Sequence, residues 1–188
     1  MSRSEPARIA ARRVTPALFA AFVCVSAALI GVVSRQAVGE ADGAAPANLT
    51  VSDDDVPAVG NLDPRLLEAL RRAATDAAKD GLEIRVNSGW RSPEYQQRLL
   101  HQAVSKYGST AKAARWVATA DTSPHVSGEA VDIGPSYVTA WLSRHGAKYG
   151  LCRIYRNEPW HFELRPEAVD GRCPAMYADP RRDPRMHK

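Results

Sequence analysis

The sequence predicts an α+β domain, and three observations predict it. Segments with helix caps and apolar stripes are mixed with short segments that alternate apolar and polar residues. The strand-like segments lack the regular βαβ alternation of a parallel sheet. No internal repeat is visible, which excludes a solenoid or propeller.

The chain has 188 residues, enough for one compact domain with appendages. Arg3, Arg8, Arg12 and Arg13 precede an uncharged apolar run from Pro16 to Val33. That order fits either a signal peptide, with small residues at Ala37 to Gly39, or an uncleaved N-terminal membrane anchor. Residues 1–39 are therefore expected to be an export signal or anchor, and the rest of the chain is expected to be extracytoplasmic. Membrane contact is expected only through this segment. The formal net charge is +4, all of it carried by residues 1–39, so the remainder is neutral and no nucleic-acid partner is expected. Residues 40–60 are rich in Ala, Gly, Pro and Asp without periodicity and read as a flexible linker. Asn48, in "NLT", is formally a glycosylation acceptor.

The folded part is predicted over 61–178. "LDPRLLEALRRAATDAAKDG" offers Asp63 as cap, Pro64 in the first turn and Gly81 as stop, with Leu66, Leu67, Leu70 and Ala74 as apolar stripe. "LEIRVNSGW" alternates, with Leu82, Ile84 and Val86 on one face of a strand. "RSPEYQQRLLHQAVSKYG" is a helix capped by Ser92 and ended by Gly108, and "STAKAARWVATA" a second, shorter one. "SPHVSGEAVDIG" is a loop entering a strand, "SYVTAWLSRHG" a helix, and "LCRIYRNEPWHFEL" is β-rich. Trp116 and Trp141 fall at helical apolar positions and are expected in the core. Residues 179–188 read as a basic tail. Cys152 and Cys173 flank the end of the folded region and can pair outside the cell.

Two stretches carry candidate chemistry. His125 and Asp132 lie on either side of Gly128, which tolerates a tight turn. His125 reads equally well as an exposed loop residue. Asp132 does not, because a carboxylate between Val131 and Ile133 in a buried strand needs a partner. Glu158 and His161 sit in "EPWH", where strict alternation would point them to opposite faces and a kink at Pro159 would bring them together. Glu158 reads otherwise as half of a surface ion pair. Three metal ligands and a nearby carboxylate would suit a hydrolytic zinc site, because the fourth position is left for water. Glu129 is expected to point away, and Glu163 is placed to support His161.

"SPHVSGEAVDI" resembles the Ser-x-His-x-x-Gly-x-Ala-x-Asp motif of the D-alanyl-D-alanine carboxypeptidase (VanY-like) zinc peptidases. "EPWH" is similar to their Glu-x-Trp-His motif and "SGWRSPEYQ" to their Ser-Gly-Tyr-Arg-Ser segment, with Trp90 in place of the usual Tyr. The three occur in the family's order over Val86 to Leu164. The resemblance implies the small α+β fold shared with D-Ala-D-Ala dipeptidases and the Hedgehog signalling domain, an antiparallel sheet packed with helices. It implies one zinc ion held by His125, Asp132 and His161, with Glu158 as general base and then acid. Arg91 would hold the substrate or the developing oxyanion, and Gln96 and Ser123 would contact the peptide. The implied function is a D,D-carboxypeptidase acting on peptidoglycan stem peptides, as a monomer. An L,D-carboxypeptidase, an endopeptidase, or a non-catalytic zinc-stabilised wall-binding domain remain as alternatives on the same fold.

Overall fold

The computed structural model describes residues 39–187. The helices are α1 (Pro57–Gly60), α2 (Pro64–Lys79), α3 (Pro93–Tyr107), α4 (Thr110–Ala113) and α5 (Ser136–His145). The strands are β1 (Arg85–Ser88), β2 (Ala130–Gly134), β3 (Leu151–Arg153) and β4 (His161–Leu164). They form one antiparallel sheet in the order β1-β2-β4-β3. This is the α+β architecture that the sequence predicts.

Helix α2 starts where expected. The Asp63 carboxylate accepts from the amides of Arg65 and Leu66, and Pro64 fills a position whose N–H has no helical partner. Its stripe of Leu66, Ala69, Leu70, Ala73 and Ala77 is buried against Val86, Val131, Ile133, Leu151 and Phe162 of the sheet. Helix α5 adds Val138, Trp141 and Leu142 to the same core. Because side chains alternate along a strand, this leaves Asp132 on β2, and His161 and Glu163 on β4, for the opposite face. Helix α3, capped by Ser92 and ended by Gly108 in the left-handed conformation, packs with α4 through a smaller cluster of Leu100, Ala103 and Ala113.

Four expectations are corrected. Residues 40–60 are not a loose linker: Leu49, Val51, Ala58 and Val59 are buried in the main core. The Val86 amide donates to the Leu49 carbonyl at 2.8 Å, and Thr50 bridges Arg85 at the sheet edge. Four well-spaced apolar side chains here outweigh the Gly- and Pro-rich composition. Residues 179–187 are likewise not a solvated tail, since Asp179 and Asp183 are buried. The second short helix spans only Thr110–Ala113, because the chain beyond it leaves the helix and the Ala118 carbonyl bonds the Gln96 side chain instead. Trp141 is in the core, but Trp116 is half-exposed and stacks on Tyr107.

Cys152 and Cys173 form a disulfide, with Cα atoms 5.5 Å apart. No helix among the described residues is long and apolar enough to cross a membrane. The apolar run from Pro16 to Val33 lies outside the described residues.

Candidate active site

Backbone pairing brings the site together. Asp132 on β2 is directly opposite His161 on β4, so the two side chains meet on one face. His125 arrives from the turn before β2. The Gly128 amide donates to the His125 carbonyl, and Gly128 itself has φ +76°. A Cβ there would also meet the Asn61 carbonyl oxygen at 2.5 Å, so glycine is required for both conformation and space. The expected kink before β4 is present. Glu158 lies ahead of the strand in a turn whose His161 amide donates to the Glu158 carbonyl, at 3.2 Å. The turn places Glu158 Oε2 3.8 Å from His161 Nδ1.

The donor atoms are specific. Asp132 Oδ1 lies 3.4 Å from His125 Nε2 and 3.2 Å from His161 Nδ1. All three donor atoms fall within 4.8 Å of one another. Ligands about 2.0–2.1 Å from a tetrahedral zinc are about 3.3 Å from each other, which matches both measured edges. The remaining ring nitrogens settle the tautomers. His125 Nδ1–H donates to the Gly89 carbonyl at 2.8 Å, and His161 Nε2–H donates to Glu163 Oε1 at 3.1 Å. Carbonyl and carboxylate oxygens only accept, so His125 Nδ1 and His161 Nε2 carry hydrogens, and in a neutral ring the other nitrogen of each is free to ligate a cation. With both rings neutral, these three converging donor atoms could hold a cation, and the donor set fits zinc. Burial opposes a charge on His161, but hydrogen bonds with Asp132 and Glu163 outweigh it and push its pKa up to about 9. His125 is shifted down, by burial and by the Arg91 guanidinium.

Arg91 grips the other oxygen of the metal-ligand candidate. Its Nη2 donates to Asp132 Oδ2 at 2.8 Å, its Nε to Ser88 Oγ at 2.8 Å and its Nη1 to Gln96 Oε1 at 3.1 Å. Oδ1 of Asp132 is thereby left for the two histidines. A guanidinium has five N–H donors, so two of them remain for a substrate or an oxyanion. Gln96 uses both ends of its amide within the protein, because Nε2 donates to the Ala118 carbonyl at 2.8 Å. Its arrangement is that of a brace for Arg91.

These groups line a cavity of about 300 Å³ whose wall also includes Ser123, Trp160 and Tyr155. Glu158 is 6% exposed, and its Oε1 has no hydrogen-bond partner among the described residues. Burial pushes its carboxyl pKa up to about 7, opposed by His161 and reinforced by Asp132. Glu129 is exposed and bonded to Ser127, away from the site.

Some site residues are not signalled by sequence spacing. Tyr155 and Trp116 read there as ordinary strand or helix positions, while Ser88 and Gly89 fall within the Ser-Gly-Tyr-Arg-Ser likeness without an assigned role. The Gly89 carbonyl orients His125, and a Cβ there would overlap the Ala58 carbonyl oxygen.

Residues 60–167 match the family model described as VanY, D-alanyl-D-alanine carboxypeptidase. A D-alanyl-D-alanine carboxypeptidase of Enterococcus faecalis is 31% identical over 142 residues, which cover 62% of this chain and 53% of that protein. The chain thus spans about half the length of that relative. Among solved structures, VanYB in complex with D-alanine-D-alanine is 29% identical with a TM-score of 0.55, over 60% of this chain and 79% of that one. A mutant of the vancomycin-resistance D,D-pentapeptidase VanY in complex with Zn(II) is 29% identical with a TM-score of 0.54, over 58% and 74%. The LD-carboxypeptidase LdcB is 26% identical with a TM-score of 0.50, over 57% and 61%. The chain belongs to the VanY family of D-alanyl-D-alanine carboxypeptidases.

Proposed function

We propose that the protein is a zinc-dependent D,D-carboxypeptidase that removes the terminal D-Ala from peptidoglycan stem peptides. One observation carries this reading: a buried carboxylate oxygen, Glu158 Oε1, has no partner among the described residues and shares a cavity with three converging metal donors. A purely structural zinc site has no need of such a group.

His125, Asp132 and His161 would hold the ion. Bound there, zinc supplies a Lewis acid that polarises the scissile carbonyl and brings the pKa of a water to about 7. Glu158 accepts the proton of the attacking water and returns it to the leaving amine. Burial, which raises its carboxyl pKa, favours the return of that proton. Arg91 offers its two remaining N–H donors to the negative charge that develops on the substrate, while its other three keep the guanidinium fixed. Ser123 lines the cavity where the peptide would lie.

The Cys152–Cys173 disulfide supports an oxidising, extracytoplasmic location, which is where stem peptides occur. The basic-then-apolar N-terminus supports export or anchoring by residues 1–39. The likeness to LdcB favours an L,D-carboxypeptidase as second reading. Mass spectrometry of pentapeptide and tetrapeptide stems, incubated with the zinc-loaded full chain, separates the two. The proposal expects loss of one D-Ala from the pentapeptide and an intact tetrapeptide. Cleavage of the tetrapeptide alone would assign the L,D reaction.

A further inference from the structure

The family match ends at residue 167, yet the chain continues to 188 and folds back over the site. Three features tie the continuation down. The disulfide holds Cys173 to β3, the Tyr177 backbone pairs with Ile154 and Arg156 around Tyr155, and Arg185 reaches Glu163.

Glu163 is fully buried. Its Oε1 accepts from His161 Nε2–H at 3.1 Å and from Arg185 Nη2 at 3.1 Å. Its Oε2 accepts from Arg185 Nη1 at 2.7 Å and Arg165 Nη2 at 2.6 Å. Among the described residues only Arg185 holds both oxygens, so it fixes the plane of the carboxylate and therefore the direction from which Oε1 meets His161. Arg185 is itself clamped. Its Nε and Nη2 donate to the fully buried Asp183, at 3.1 and 2.6 Å, and Asp183 accepts from the Tyr155 hydroxyl at 2.9 Å. The Tyr155 ring lies against the His161 ring, with centroids 5.0 Å apart. The path from His161 through Glu163, Arg185, Asp183 and Tyr155 closes on itself.

We propose that Arg185, delivered by the C-terminal segment, is a positioning residue that sets His161 for zinc by orienting Glu163. The inference rests on the assignment of His161 as a zinc ligand. A partner that orients a ligating histidine and fixes its tautomer commonly changes metal affinity 10- to 100-fold when removed, and Arg185 acts one contact further out. The clamp also explains why a segment beyond the family's shared region is packed rather than solvated.

The test is the zinc dissociation constant of the full chain, measured by competition with a chromophoric chelator. Arg185→Ala, Arg185→Lys and His161→Ala are compared with wild type, and far-UV circular dichroism checks the fold. Arg185→Ala is expected to bind zinc about 10-fold more weakly, and the downfield NMR resonance of the His161 Nε2 proton to shift or broaden. Arg185→Lys keeps the charge but not the two-pronged grip, and is expected to recover only part of the affinity. A folded Arg185→Ala with wild-type affinity and an unchanged imidazole resonance would overturn the proposal. If Arg185→Ala fails to fold, wild-type affinity in Arg185→Lys would overturn it, and weakened binding would support it. Unchanged zinc binding in His161→Ala would remove the ligand assignment and this inference with it, whereas loss there with no change at Arg185 removes this inference alone.

Discussion

Asp132 and Glu158 are both carboxylates of one cavity, but their surroundings separate them. Asp132 lies under Arg91 and between two histidines, and although burial opposes its charge these partners hold it well below the usual carboxylate range. Glu158 is buried, its Oε1 has no partner among the described residues, and burial raises its pKa towards neutrality. One carboxylate is permanently charged and fit to ligate a cation; the other can exchange a proton near pH 7. Glu158→Gln removes the proton acceptor at nearly constant volume and leaves the three donors untouched. It is expected to retain zinc while losing about 10²–10⁴-fold in turnover. Parallel zinc analysis and single-substrate kinetics check this, and undiminished turnover would remove Glu158 from the reaction. Arg91 holds Asp132 through Nη2 and is itself fixed by hydrogen bonds to Ser88 and Gln96.

At the scale of elements, the site depends on the β2–β4 register. A slip of one residue would turn Asp132 and His161 into the core and expose Val131 and Phe162. The face each residue takes is legible in the sequence, because apolar and polar residues alternate through Val131-Asp132-Ile133 and "HFEL", whereas the pairing of β2 with β4 is not. Helices α2 and α3 are legible for the same kind of reason: Asp63-Pro64 and Ser92-Pro93 cap them locally. The turn that brings Glu158 beside His161 is legible only as a need for a kink. The pairings that come from distant chain segments are not legible at all. Nothing near Glu163 in the sequence signals that Arg185 will reach it, and nothing near Leu49 signals a seat beside Val86. The disulfide links β3 to the C-terminal segment across a sequence separation of 21 residues. Replacing Cys152 and Cys173 with Ser is expected to lower stability by about 3 kcal/mol through the greater entropy of the unfolded chain. Chemical denaturation of the double variant against the oxidised wild type measures it, and equal midpoints and slopes would show that the link constrains nothing.

Over the described part of the molecule, one face of the sheet is apolar and covered by α2 and α5, and the other carries the polar residues of the site. The segments on both sides of the shared family region complete this plan. Residues 49–59 fill the core, and residues 179–187 close around Glu163. Composition alone suggested a linker and a tail, because a few apolar or charged anchors in a Gly-, Pro- and Arg-rich stretch decide its packing without altering its average. The central claim is that this plan exists to hold one zinc between β2, β4 and the turn before β2. The most direct measurement is metal content, by elemental analysis of the full chain after zinc loading and dialysis, for wild type, His125→Ala and His161→Ala. The account predicts about one zinc per chain in the wild type and loss of most of it in both variants. Zinc content that is the same in all three would contradict it.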